Sequence, residues 1–239
     1  MLEPLCENIW HDSSHNLRMP GGMYFPCRMT VIKLEDGGIL IHSPIPISDE
    51  TAAGIDKLGE VTHIVAPNNY HHLFLPAAVE RYPNTTVWGA PGLVEKRPEV
   101  SFDHILGQTT PSFSKELEPL HVAGVPELDE HVFFHHETKS LIVTDLIFHI
   151  KEPHNFITRV ILTMVGVHKK CTQSKVWRFF CKDREAAGQS ALAIASLPAE
   201  RLIMAHGQVI EGADTQDRVR AALKWMIAGA PAKALPATS

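Results

Sequence analysis

Two adjacent histidines, His71 and His72, close a loop that follows an apolar run. The full stretch reads His63-Ile64-Val65-Ala66-Pro67-Asn68-Asn69-Tyr70-His71-His72. Strand ends that deliver polar side chains to a sheet edge are common ligand sites in proteins built from strands and helices. Two later runs end the same way. Leu141-Ile142-Val143-Thr144 stops at Asp145, and Leu202-Ile203-Met204-Ala205 stops at His206-Gly207. Imidazole and carboxylate are the donors that borderline divalent ions take. Three buried strands each presenting a His or Asp therefore suggest one metal site assembled from distant parts of the chain.

The elements that must position these residues are legible in outline. Residues 28–34 are β-branched and apolar, Glu35-Asp36-Gly37-Gly38 is a hairpin turn, and 38–42 is the return strand, ending at His42. Ser48 is a good N-cap followed by Asp49 and Glu50, and Gly59 stands where a C-cap would, which predicts a helix over about 49–58. Residues 61–66 form the next strand, 76–82 a helix opened by Pro76 and stopped by Pro83, and 85–88 a further strand. Residues 89–128 are weakly patterned and read as long loops. Residues 132–135 and 140–144 flank His136-Glu137-Thr138-Lys139 as a second hairpin. Helical spacing of apolar residues marks 156–165 and 182–196, and 201–205 is a strand. Val219, Ala222, Leu223, Met226 and Ile227 make one face of a final helix over 214–227. This order predicts a layered α/β or α+β domain spanning 1–228, with a flexible tail over 229–239.

Bulk properties narrow the function classes. The chain has 239 residues, 44% hydrophobic and 21% charged, with a net charge of −5. That balance argues against nucleic acid or membrane as partner and leaves a small-molecule substrate as the expectation. It says nothing about oligomeric state. No run approaches the roughly 20 apolar residues that span a bilayer, and the first ten residues carry Glu3 and Glu7 and lack a signal-peptide core. The cytoplasm is the expected location, with Cys6, Cys27, Cys171 and Cys181 as free thiols lacking any C-x-x-C spacing. There is no G-x-G-x-x-G, P-loop or G-x-S-x-G to support nucleotide binding or serine hydrolysis.

A set of segments in order carries a resemblance. They are Arg28-Met29-Thr30-Val31-Ile32, Gly38-Ile39-Leu40-Ile41-His42-Ser43-Pro44, Ala66-Pro67-Asn68, His71-His72, Pro91-Gly92-Leu93, Glu95-Lys96-Arg97-Pro98, Thr144-Asp145-Leu146, Lys182-Asp183-Arg184 and Ala205-His206-Gly207. Together they resemble the metallo-β-lactamase superfamily, and within it an uncharacterised branch of unknown function. The resemblance implies an α+β fold, a four-layer αββα sandwich with metal at one edge of its two sheets. It implies metal-ligand roles for Asp145, for His206 at the end of a late strand and for His121 in His121-Val122-Ala123-Gly124 before the hairpin. The superfamily's H-x-H-x-D-H motif is degenerate here. If His71-His72 stands for its closing pair, Pro67 and Asn69 replace the first two histidines; a shift of one residue puts Asn68 and Tyr70 there.

The metal candidates are thus His71, His72, His121, Asp145 and His206, with His42 as a sixth. A binuclear hydrolytic site needs more donors than this set readily supplies, so the expectation is one divalent ion, zinc first, with iron or manganese as alternatives. A metal-dependent hydrolase using metal-bound water as nucleophile follows, with Asp145 and His71 as catalytic groups. Lys96 and Arg97 are candidates for an anionic substrate group, and His149 for the pocket wall. The alternative is a pseudoenzyme that keeps the fold as a binding or interaction module. Fe²⁺ redox chemistry in the same fold is a third reading. Plain structural roles compete at each position: neighbouring histidines on extended backbone point apart, and Asp145 would serve equally as a helix N-cap.

Overall fold

The computed structural model describes residues 1–18 and 22–231. The chain opens with strands β1 (Glu3–Cys6), β2 (Ile9–Arg18), β3 (Tyr24–Lys33) and β4 (Ile39–His42). Helix α1 (Asp49–Asp56), strand β5 (Val61–Ala66), helix α2 (Leu75–Arg81), strand β6 (Thr86–Gly89), helix α3 (Leu93–Lys96) and strand β7 (His104–Ile105) follow. These seven strands form one sheet in sequence order, antiparallel through β4 and parallel from β4 to β7. Strands β8 (Leu117–His121), β9 (His131–His135), β10 (Ser140–Val143), β11 (Arg201–Met204) and β12 (Ile210–Glu211) form the second, in the order β12-β11-β10-β9-β8. Between β10 and β11 the chain inserts helices α4 (Phe156–Met164), α5 (Lys175–Phe180) and α6 (Arg184–Ser196). Helices α7 (Thr215–Ala222) and α8 (Lys224–Ile227) close it.

Strand periodicity sorts the side chains into layers. Ile32, Leu40, Val65, Phe133, Ile142 and Ile203 meet between the sheets. Their neighbours Val31, Ile41 and Ile64 face outwards to Ile55 of α1 and Leu75 of α2. On the other side Phe134, Leu141 and Leu202 pack against Ala191 of α6, Val219 of α7 and Met226 of α8. The result is the expected αββα sandwich.

Several local expectations change. Strands β1 and β2 extend the first sheet, and the segment 89–128 holds α3, β7 and β8 where loops were expected. The single helix over 214–227 is two, parted at Leu223, although the apolar face still packs as one. Residues 232–239 of the expected tail lie outside the described residues.

The two sheets are tied by backbone hydrogen bonds near the ends of the strands. Arg28 N–H donates to the Ala205 carbonyl at 2.8 Å, His131 N–H to Pro67 at 2.8 Å, and Asn69 N–H to Leu128 at 3.0 Å. Gly207, which follows β11, has φ +115°, and a Cβ there would lie 2.2 Å from the His149 carbonyl oxygen. Only glycine fits this position, so the turn after β11 can close on residue 149.

Two buried histidines bear on stability. Burial, with His71 nearby, pushes the pKa of His42 down to about 3; burial, with His121 nearby, pushes that of His131 down to about 4. Both stay neutral in the folded protein while the unfolded chain takes up protons near pH 6.5. Stability that is complete above pH 6.5 is therefore lost as pH falls towards 4. The unfolding free energy from urea titration should drop on acidification, by about 1.4 kcal/mol per histidine near pH 5.5, and His131→Phe should remove its share.

Candidate metal centre

Asp145 follows β10, His206 follows β11, and His71 stands in the loop after β5. Their donor atoms converge. His71 Nε2 lies 3.1 Å from His206 Nε2 and 3.4 Å from Asp145 Oδ2, and His206 Nε2 lies 3.2 Å from Asp145 Oδ1. A tetrahedral zinc with bonds of about 2.0–2.1 Å has donor–donor edges of roughly 3.3–3.4 Å. The three separations match that spacing, so these residues can hold a metal ion. Two imidazoles and one carboxylate suit zinc and also Fe²⁺.

Each ligand candidate is oriented from behind. His206 Nδ1 donates to the Pro26 carbonyl oxygen at 2.7 Å, which aims Nε2 at the cluster and would leave its lone pair there once the ring gives up its second proton. Its ring stacks on Phe148 with centroids 5.2 Å apart. His71 Nδ1 lies 2.6 Å from Ser43 Oγ, and Ser43 reaches it from a left-handed backbone conformation, φ +56°, just past β4. Asn68 Nδ2 donates to Asp145 Oδ2 at 2.8 Å.

Asn68 does more. Fully buried, its Oδ1 accepts the backbone N–H groups of Tyr70 and His71, both at 2.8 Å. That turn carries His71 into the cluster. Glu130, fully buried just before β9, accepts backbone N–H groups from Thr144 (2.8 Å), Asp145 (2.9 Å) and Leu146 (3.2 Å), and the Asn68 amide at 3.2 Å. Every neighbour is a donor, which suits a carboxylate. Burial and the Asp145 charge nevertheless push its pKa up to about 7.

Charge in the cluster is strongly polarised. Burial opposes ionisation of Asp145, but the His71 and His206 rings outweigh it and hold the carboxyl well below the usual range. Burial also opposes a charge on His206, yet Cys27 and Asp145 raise its pKa well above the ordinary value. Metal must displace protons from such a site.

The other sequence candidates sit elsewhere. His72 lines the same cavity but does not join the cluster, and accepts from Arg97 Nε at 2.6 Å. Burial, with Arg97 and Lys96 nearby, holds its pKa down to about 4. Lys96 Nζ donates to the Asn69 carbonyl at 2.6 Å and lies over the Tyr70 ring. Lys96 and Arg97 therefore clamp the loop that carries His71. His121 pairs with Asp129 at 2.8 Å and stacks on His131, 4.6 Å between centroids. His42 shares the parity of Leu40, points between the sheets and packs edge-on against Phe133. His149 Nδ1 lies 3.0 Å from the Gln208 carbonyl, in the turn beside Gly207. Sequence reasoning missed Glu130, and took Asn68 only as the place of a lost histidine. An acidic residue directly before a wholly buried strand was the available signal.

The cluster forms part of the lining of a cavity of about 450 Å³ whose walls are mostly apolar. Phe25, Ile45, Leu73, Phe148, Val167 and Trp177 contribute to the lining. The Trp177 indole donates to the Asp145 carbonyl oxygen at 2.7 Å, which ties α5 to the centre.

Comparison with known proteins fits this architecture. A metallo-β-lactamase from Pontibacter korlensis superposes with a TM-score of 0.62 at 16% identity, covering 94% of this chain and 98% of that one. This chain has the metallo-β-lactamase fold. FIM-1 from Pseudomonas aeruginosa, a metallo-β-lactamase in its mono-zinc form, gives 0.61 at 14% identity over 97% and 96% of the two chains. A structure described as a diflavin flavoprotein A 5 fragment from Nostoc sp. PCC 7120 gives 0.63 at 13% identity over 96% of each. Residues 10–96 match a family described as Domain of unknown function (DUF4336). No curated protein matches the sequence.

Within the metallo-β-lactamase fold, Glu130 is the residue whose loss should be felt most widely. Glu130→Gln replaces one acceptor oxygen by an amide facing N–H donors, which should cost about 3 kcal/mol. Thermal unfolding measures that loss, and retained metal content at unchanged stability would contradict the role.

Proposed function

We propose that the protein is a metal-dependent hydrolase acting through a single ion on a small, largely apolar substrate. The convergence of His71 Nε2, His206 Nε2 and the Asp145 carboxylate within an apolar cavity carries this reading. When bound, a divalent ion, zinc first, supplies Lewis acidity and lowers the pKa of a coordinated water towards about 7.

The remaining work belongs to the chain. The Pro26 carbonyl and Ser43 hydroxyl hold the two rings with Nε2 facing inwards. Asn68 occupies Asp145 Oδ2 and so orients the carboxylate. Phe25, Phe148 and Val167 help exclude water and bind carbon. His42, His72 and His121 stay out of the cluster, so six donors do not gather among the described residues, and a one-ion site follows.

Protein purified without added metal should contain about one equivalent of zinc by elemental analysis, and His71→Ala/His206→Ala should contain almost none. A wild-type protein free of metal after zinc loading would instead favour the pseudoenzyme reading, and iron in place of zinc a redox one. With p-nitrophenyl esters, kcat/KM should rise about tenfold for each two carbons added to the acyl chain, at about 0.8 kcal/mol per buried methylene. A flat profile would remove the apolar substrate class.

A further inference from the structure

The whole-chain charge hides a local reversal. Residues 151–182, which hold α4 and α5, carry seven Lys and Arg against one acidic residue, Glu152, in a chain of net charge −5. Lys151, Arg159, Lys169, Lys170, Lys175, Arg178 and Lys182 are all exposed. Among the described residues none of the seven is in an ion pair. The same segment leaves large apolar side chains in solvent: Phe156 is 67% exposed, Met164 69% and Phe179 79%, with Ile157, Val160 and Val176 beside them. Half-buried Ile161 and Val165 of the same α4 region face the apolar cavity instead.

A second cavity of about 450 Å³ opens on this segment, lined by Lys151, Glu152, Asn155, Phe156, Arg159, His168 and Lys169 among others. His168 Nε2 is buried there without a hydrogen-bond partner in the described structure. Cationic side chains around a hollow of mixed polar and apolar lining, bordered by exposed aromatic and aliphatic groups, match the chemistry of a phosphate-bearing headgroup above acyl chains.

We infer that the 151–182 face docks on an anionic lipid bilayer. Phe156, Met164 and Phe179 enter the headgroup boundary, and Lys151, Arg159 and Lys169 meet the lipid phosphates. A symmetric dimer through this face is disfavoured, because it would set the same cationic patch against itself. No described helix is long and apolar enough to cross a membrane, so this is attachment to the surface. The docking does not depend on the metal centre, and metal-stripped protein serves for the test.

Co-sedimentation of the full chain with phosphatidylcholine vesicles, with and without about one third phosphatidylserine, reads it directly. Binding should be at least about tenfold tighter to the anionic vesicles and should weaken with added salt. Phe156→Ser/Phe179→Ser and Lys169→Glu/Lys170→Glu should each weaken it about tenfold, with unchanged thermal unfolding. No binding to anionic vesicles, or equal binding by both double variants, overturns the proposal. So does a lipid-independent dimer that Phe179→Ser dissociates.

Discussion

The buried carboxylate of Glu130 gathers the pieces from which the centre is made. It takes three consecutive backbone N–H groups at 144–146 and the amide of Asn68. The first three fix the turn after β10 that presents Asp145. The fourth joins the sheets, because Asn68 lies just past β5 of the first sheet while Glu130 lies just before β9 of the second. Leaving a buried charge without these donors would cost several kcal/mol, so the arrangement is strongly specified. Asn68 then passes the constraint on, holding Asp145 with its amide and turning His71 inwards with its carbonyl oxygen.

The centre therefore rests on polar contacts that are themselves buried, at the edge of a sandwich whose interior is otherwise mostly apolar. Side chains from five segments meet there, from β3, β4, β5, β10 and β11 or the turns beyond them. Such a site is only as well ordered as the registers of both sheets. The backbone bonds from Arg28 to Ala205 and from His131 to Pro67 hold those registers together close to the cluster. Lys96 and Arg97 secure the loop from its outer side through Asn69 and His72.

The inserted segment between β10 and β11 serves a different end. It walls the cavity, reaches the centre through Trp177, and is tied to β3 by Tyr24 N–H to Thr158 Oγ1 at 2.9 Å. Its outward face combines positive charge with exposed carbon, in contrast to the acidic balance of the remaining chain. Averaged composition conceals that contrast, which appears only when the charges are assigned to this segment.

Much of the scaffold was legible in the residues themselves. The β-branched, apolar residues of 28–34, the apolar run up to Ala66, the cap at Ser48 and the hairpin around 136–139 are local signals, and the corresponding elements lie within a few residues of where they were expected. The polar ends of three strands marked His71, Asp145 and His206 for the same reason. Tertiary structure decided the rest. Which of two adjacent histidines turns inwards depends on Asn68 and Arg97, not on His71 and His72. His42 is taken into the space between the sheets by strand parity, and His121 is held by Asp129. Glu130 organises the centre through backbone groups 14 to 16 residues away, a contact that no local pattern encodes. Sequence determined which groups were available for chemistry; only the packing of two sheets, with the cost it puts on a buried carboxylate left without donors, decided which of them meet.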